Sequence, residues 1–318
     1  MQNFYKPESH IIYTPRNIEL TSSLQGLEYA LQHNIILEGV AVLCDEKYAL
    51  HVNFGDIEGI IPREESTFNT DGSPIKDIAI ITRVGKPVCF KVKGFEYHNG
   101  TAKAILSRKE AQMECFNNYI SKLIPGDIIP SRVTHLEGFG AFVDIGCGIP
   151  SLLSVDCISV SRISHPSDRL ICGENIMTIV KSIDRDTGRI YVSQRELLGT
   201  WEENAARFSV GQTVAGIIRS VETYGIFVEL TPNLAGLAEI REYGASTKNI
   251  EPGLCTAVYI KNIIPEKMKI KLVLIDTYKN KMPISPPEYF IDTDTVTHLD
   301  KWCYSPKSST RIIESIFC

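Results

Sequence analysis

The sequence predicts a mainly β protein: three tandem barrels of five short strands, joined by short amphipathic linker helices. Two observations carry this prediction. Residues 125–145 and 210–230 superpose at a constant offset of 85 residues, which places Gly126 over Gly211 and Phe142 over Phe227. Within each copy, short segments of alternating apolar and polar residues are separated by Gly, Pro and Asp turns, the pattern of half-buried strands.

Each repeat is predicted to be a closed antiparallel barrel of the OB type. In the middle copy, period-two segments occupy residues 127–136, 140–146, 174–184 and 188–194, with a glycine-poor loop after the second. Five short strands in about 70 residues leave no room for the long crossovers of a parallel sheet. A closed barrel also removes exposed edge strands.

A weaker copy precedes these two. The segment 48–62 aligns with the one that starts at Phe139, which puts Tyr48 over Phe139 and His51 over Phe142. The chain, at 318 residues, has material for several small domains. The expected divisions are an N-terminal segment with a helix (1–35), a degenerate OB-fold domain (36–108), a linker helix (109–124), an OB-fold domain (125–195), a second linker helix (196–209), a second OB-fold domain (210–277) and a C-terminal tail (278–318).

Linker helices are predicted from apolar stripes and capping signals. The 85-residue offset continues backwards and aligns Phe116 with Trp201, at positions that start a stripe of period i, i+4, i+7. A hydroxyl followed three residues later by a carboxylate or amide predicts where each helix begins. These capping boxes are Ser107 with Glu110, Ser193 with Glu196 and, before the first copy, Ser22 with Gln25, where Leu20, Leu24, Leu27 and Leu31 form the stripe.

Composition excludes several classes of protein. The net charge of −5 argues against coating of polyanions by bulk electrostatics, so any nucleic-acid site must be local. The nine cysteines are never spaced as C-x-x-C, which favours buried thiols over a disulfide framework or a zinc ribbon. No apolar run is long enough for a membrane span, and the first residues lack the order of a secretory signal. We therefore expect a cytoplasmic protein without a cofactor and without a membrane partner.

Strand alternation places aromatic rings on the solvent face. In the middle copy Ala141, Val143 and Ile145 point inward, which leaves Phe142 and Asp144 outside. The same alternation puts Phe227 with Glu229 on the outer face of the last copy, and His51 with Asn53 on that of the first. On the fifth strands, the outward residues are Arg189 and Tyr191 in the middle copy and Lys269 and Lys271 in the last. Rings beside cations on an OB barrel form the stacking platform of single-stranded nucleic-acid binding. The alternative is that these rings pack under the middle loop or against the next copy.

At these residues the repeats resemble the RNA-binding domain named after ribosomal protein S-one of the bacterial small subunit. The resemblance covers about residues 20–277 and is specific in the middle and last copies. It implies non-catalytic binding of single-stranded RNA through two aromatics near the second strand, a histidine after the third, an aspartate late in the fourth and an arginine before the fifth.

Carried over by residue, the match is incomplete. In the middle copy Phe139, Phe142, Asp184 and Arg189 match, and Ser154 replaces the histidine. In the last copy Tyr224, Phe227 and Lys269 match in kind, while Glu239 replaces the histidine and Ile264 replaces the aspartate. In the first copy Tyr48 and Lys103 match, while His51 replaces the second aromatic, Pro62 the histidine and Glu96 the aspartate. The middle copy is therefore expected to be the main platform, the last an auxiliary, and the first structural or protein-docking. The predicted RNA-binding residues are Phe139, Phe142, Asp184, Arg189, Tyr191, Tyr224, Phe227, Lys269 and Lys271.

The expected partners are single-stranded, messenger-like RNA and the small ribosomal subunit. The alternative is an interaction scaffold whose barrels bind proteins, which the acidic net charge favours. An enzyme is not expected, because the repeats and their helices use nearly the whole chain and leave no catalytic core. Asp184 and Asp186 lie in a turn between strands, which argues against a metal cluster there.

The tail departs from the repeats. Residues 282–292 are rich in proline and polar side chains and are expected to be irregular. Residues 308–317 are predicted to form a short amphipathic helix capped by Ser309. Trp302, Tyr304 and Phe317 are expected to fix the tail on the last copy.

Overall fold

The computed structural model describes residues 5–69, 74–98, 101–184, 186–239, 250–278 and 286–317. Across these ranges three closed five-stranded barrels follow one another along the chain, which confirms the predicted fold class. We call them the first, middle and last barrels. Within the same ranges no helix has both the length and the apolar character needed to cross a membrane.

All three barrels share one strand order. The first strand pairs with the second and fourth, and the third strand pairs in parallel with the fifth to close the barrel. The strands are β1 (Leu37–Cys44), β2 (Leu50–Asn53), β3 (Glu58–Ile61), β4 (Pro87–His98) and β5 (Thr101–Ser107) in the first barrel; β6 (Ile128–Glu137), β7 (Gly140–Asp144), β8 (Pro150–Ser154), β9 (Asn175–Ile183) and β10 (Ile190–Ser193) in the middle barrel; and β11 (Thr213–Glu222), β12 (Gly225–Thr231), β13 (Leu234–Glu239), β14 (Cys255–Ile264) and β15 (Lys269–Tyr278) in the last. A short helix, α3 (Asp77–Ile81), lies between β3 and β4.

The barrel cores contain the residues that the alternation predicts to point inward. Ala141, Val143 and Ile145 are fully buried in the middle barrel, as are Ile226 and Val228 in the last. Each large aliphatic side chain buried in this way contributes about 1.5–3 kcal/mol to folding. The predicted inner faces of these two strands are confirmed.

The N-terminal segment forms two helices where one was predicted. These are α1 (Pro15–Thr21) and α2 (Leu24–Gln32). Ser23 caps α2, because its backbone is extended and its hydroxyl accepts the Gly26 N–H at 3.1 Å. The predicted cap at Ser22 is wrong, since this residue ends α1 with a helical backbone.

The first linker helix, α4 (Arg108–Asn118), begins where the sequence predicts. The Ser107 hydroxyl accepts the Glu110 N–H at 2.9 Å. The Glu110 carboxylate does not complete the capping box, because it pairs with Lys93 of β4. The predicted start of the helix is therefore confirmed, while its carboxylate ties the helix to the first barrel.

The second linker helix begins later than predicted. Ser193 is the last residue of β10, and its hydroxyl bonds to the Glu196 carboxylate, so the predicted capping box there is wrong. Gly199 then adopts a φ of +83°, which ends any continuous helix at that point. The helix α5 (Trp201–Ala205) follows, with a capping box formed by Thr200 and Glu203.

The tail forms a β-hairpin instead of the predicted helix. Its strands are β16 (Lys301–Cys303) and β17 (Glu314–Ile316), and Ser309 lies in the loop between them. Trp302 and Tyr304 pack into the core of the last barrel, as predicted. Phe317 does not, because it packs on the middle barrel with Ile128, Ile179 and Leu197. The predicted irregular segment falls partly outside the described residues, and those from 286 to 289 carry no regular structure.

Candidate nucleic-acid interface

Three side chains form a row across the outer face of the middle barrel. Phe142 of β7 lies opposite Leu152 of β8, and Leu152 lies opposite Tyr191 of β10. Adjacent strands are about 4.8 Å apart, so the rings of Phe142 and Tyr191 flank one leucine. All three are half-buried, which leaves ring surface accessible to a flat ligand. Sequence alternation found both rings but missed Leu152, because its place depends on cross-strand register.

A second ring completes this surface. Phe139, in the turn before β7, is 55% exposed. Its ring centroid lies 6.0 Å from that of Phe142, with the two planes at 89°. This edge-to-face arrangement is a favourable geometry for aromatic pairs. It holds the Phe139 ring in place while leaving most of it in solvent.

The last barrel repeats this geometry. Tyr224 is 61% exposed, and its ring lies 6.2 Å from that of Phe227, again at 89°. Phe227 lies opposite Leu237, and Leu237 lies opposite Lys271 of β15. The last barrel therefore has the same ring pair and the same central leucine, with a lysine in place of the second flanking ring.

Asp184 and Arg189 lie at the two ends of the β9–β10 turn. The Asp184 carboxylate accepts the Thr187 hydroxyl at 2.6 Å and the Asp186 N–H at 3.0 Å. The Thr187 hydroxyl bond is the main cause of a lowered Asp184 pKa. The Asp184 N–H also donates to the Arg189 carbonyl at 2.8 Å. Asp184 thus shapes the turn that presents the exposed Arg189.

The residues that replace the family histidine occupy equivalent places. Ser154 pairs in register with Gly140, and Glu239 pairs with Gly225. The Ser154 hydroxyl donates to Asp156, whereas the Glu239 carboxylate lies 3.6 Å from the Lys271 ammonium. The carboxylate on the last barrel therefore offsets part of the charge of that lysine.

Two carboxylates predicted to lie on the wet face are buried. Asp144 accepts backbone N–H groups from Glu8, Gly146 and Gly148 at 2.7, 2.8 and 3.0 Å. Burial, followed by the negative charge of Glu8, raises the Asp144 pKa to about 7. Alternation correctly assigned this residue to the outside of the barrel, but the N-terminal segment covers that position.

Glu229 is buried for a similar reason. It lies between Arg219 of its own barrel and Arg169 of the middle barrel. Asp144 and Glu229 occupy equivalent positions in the repeat, two residues after the platform rings. Strands β7 and β12 therefore each carry a ring on the open face of the barrel and a buried carboxylate that contacts another part of the chain.

The first barrel has an aliphatic row at the same register. His51 lies opposite Leu43 and Ile60, and Ile60 lies opposite Ile105. The two ring nitrogens of His51 bond to Glu58 at 2.5 Å and to Asp45 at 3.2 Å. Isoleucine thus replaces both the central leucine and the second flanking ring, and the histidine at the position of Phe142 is held by two carboxylates.

In the described part of the chain, no group of three or more His, Cys, Asp or Glu side chains could hold a metal ion.

Comparison with known proteins finds a matching family model and several similar proteins. The family model of the S1 RNA binding domain matches residues 122–195, which contain the middle barrel. Small ribosomal subunit protein bS1 of Staphylococcus aureus (strain COL) is 31% identical over 280 residues, which cover 85% of this chain and 69% of that protein. The bS1 proteins of Rhizobium meliloti and Rhodopseudomonas palustris are both 28% identical, and the matches cover 81% and 85% of this chain. The chain spans 46% and 47% of the length of these two relatives.

Proposed function

This chain belongs to the family of small ribosomal subunit protein bS1, and on that premise we propose that its middle and last barrels bind single-stranded RNA without catalysing a reaction on it. The observation that carries the proposal is the repeated ring pair, Phe139 with Phe142 and Tyr224 with Phe227, in one geometry on two barrels. Exposed rings held in this way stack on bases of any sequence, which favours binding with little sequence specificity.

The middle barrel supplies the main platform. Bases stack on Phe139, Phe142 and Tyr191, and each stacked base contributes about 1–3 kcal/mol. Arg189, exposed at the end of the turn, contacts phosphate or a base edge. Asp184 accepts from sugar or base groups in addition to shaping this turn. Tyr224, Phe227, Lys269 and Lys271 form the auxiliary platform on the last barrel.

The proposed partners are messenger-like RNA and the small ribosomal subunit. Sedimentation of a cell lysate at low salt tests the second partner, since the chain should travel with the small-subunit fractions. Its absence from those fractions would contradict the ribosomal partner and leave RNA binding to be judged separately.

Binding of a fluorescent single-stranded RNA of about 15 nucleotides tests the function directly. Phe142→Ala is expected to weaken binding by about 1–3 kcal/mol, and Phe227→Ala is expected to weaken it less. Tyr97→Ala is a matched control, because Tyr97 is 62% exposed but lies on the first barrel. If Phe142→Ala and Phe227→Ala bind the RNA as tightly as the natural chain does, the result would favour the alternative of an interaction scaffold that binds proteins.

A further inference from the structure

The fifth strands of the middle and last barrels carry different chemistry at one equivalent position. Tyr191 lies opposite Leu152, and Lys271 lies opposite Leu237, while each leucine lies opposite a platform phenylalanine. The repeat offset of 85 residues would instead place Tyr191 over Asp276. The sequence matches Arg189 with Lys269, and the strand register confirms that Tyr191 and Lys271, two residues later, occupy the same place.

On the middle barrel, this position extends an aromatic surface. Tyr191 is half-buried, and Leu152 lies between it and the Phe139–Phe142 pair. The row therefore offers ring faces on both sides of an aliphatic centre. Such a surface recognises the flat faces of bases, which every nucleotide carries.

On the last barrel, the same position begins a basic surface. The β14–β15 segment, residues 255–278, contains Lys261, Lys267, Lys269 and Lys271 against Glu266 and Asp276. Lys261 and Lys271 line one shallow depression together with Leu237 and Glu239. Lysine ammonium groups are compact point charges that bind phosphate without regard to the base attached to it.

Resting on the proposed function, we infer that the two barrels bind different parts of one RNA strand. The middle barrel contributes more of the base stacking, because Tyr191 adds a ring to the pair that both barrels share. The last barrel contributes more of the binding to the phosphodiester backbone, through Lys271 and the lysines beside it. Binding to backbone phosphates releases counterions, so the last barrel supplies the larger part of the salt dependence of binding. Tyr191 and Lys271 are the residues that determine this division, because they differ where the central leucines and ring pairs agree.

The test measures binding of two fluorescent probes of about 15 nucleotides by the full chain over a series of salt concentrations. One probe is single-stranded RNA, and the other is an abasic oligonucleotide that keeps the backbone and lacks the bases. Lys271→Gln should reduce the steepness of log affinity against log salt concentration by about 0.7 for each phosphate that the variant no longer neutralises. The same variant should also bind the abasic probe more weakly than the natural chain does. Lys271→Arg should restore both properties.

The matched variant is Tyr191→Leu, which removes the ring and keeps the charge. It should weaken binding of the RNA probe by about 5- to 150-fold while the salt slope stays at the value of the natural chain. Lys307→Gln, an exposed lysine of the tail, controls for the change in net charge. An unchanged slope in Lys271→Gln, or equal weakening of both probes in both variants, overturns the division between barrels. Failure of the natural chain to bind either probe overturns the proposed function as well, so the two failures are distinguishable.

Discussion

Arg169 of the middle barrel forms a two-point ion pair with Glu229 of the last barrel. Its Nη1 lies 2.6 Å from Oε1, and its Nη2 contacts Oε2. The side chains are only 11% and 4% exposed, so the pair is buried at the junction of the barrels. Glu229 lies two residues after Phe227 on β12, about 7 Å along the strand. The contact between barrels and the ring platform therefore share one strand.

Arg169→Ala should destabilise the protein by about 1–3 kcal/mol, because it removes one of the two arginines that pair with the buried Glu229 carboxylate and leaves Arg219 as its partner. Urea denaturation measures this change. Arg207→Ala is the control, since Arg207 makes a similar two-point pair with Glu288 at an exposed site. Exposed pairs contribute about 0–1 kcal/mol, so equal destabilisation of the two variants would contradict a structural role for the junction.

Glu38 predicts a pH dependence of stability. Its carboxylate accepts N–H groups from Ser9, Ile11 and Ile12, and burial followed by the charge of Glu8 raises its pKa to about 8. A glutamate in an unfolded chain titrates near about 4.3. Between these values the folded protein binds more protons than the unfolded chain, so this group lowers stability as pH rises.

Glu38→Gln should reduce that fall in stability, because the amide oxygen still accepts hydrogen bonds and carries no charge. At pH 8 the free energy of unfolding of the variant should exceed that of the natural protein by about 1–3 kcal/mol. Urea denaturation between about pH 5 and 8 measures this difference. Glu46→Gln, at an exposed site of the same barrel, should keep the natural slope. Identical slopes in both variants would show that Glu38 does not titrate in this range.

Gly126 and Gly211 provide a matched test of tail docking. They are equivalent in the repeat and have similar φ values of +97° and +94°. A Cβ on Gly126 would lie 2.3 Å from the Leu299 carbonyl oxygen of the tail, whereas nothing lies within 4 Å of one on Gly211. Gly126→Ala should therefore release the tail and expose it to limited proteolysis, and Gly211→Ala should only add backbone strain of about 1–2 kcal/mol. Equal proteolysis of the two variants would argue against this contact.

Removal of the Glu239 carboxylate should strengthen RNA binding. It lies 3.6 Å from Lys271 on the proposed phosphate-binding face. Relief of one exposed charge at such a distance is worth about 1 kcal/mol, so Glu239→Gln should tighten binding up to about fivefold at low salt. Glu202→Gln, exposed on α5, controls for net charge. Weaker binding by Glu239→Gln would mean that this carboxylate orients Lys271 instead of competing with phosphate.

Local periodicity was enough to predict the barrels and their open rings. Alternation places Val143 inside and Phe142 outside, because successive side chains of a strand point to opposite faces. The 85-residue repeat makes Phe227 the equivalent of Phe142, and the paired rings at 6.0 and 6.2 Å agree with that equivalence. These features depend on short stretches of chain, so local patterns in the sequence are enough to predict them.

Contacts between distant segments were settled only by the tertiary structure. Alternation assigns Asp144 and Glu229 to the outside of their barrels, but it carries no information about the N-terminal segment and the middle-barrel arginine that cover them. The central leucines that lie beside Tyr191 and Lys271 are set by parallel pairing at barrel closure. Residues 314–316 form a strand because Lys301–Cys303 pairs with them, against their local helical pattern. In each case the outcome depends on residues far away in the chain, which local periodicity does not specify.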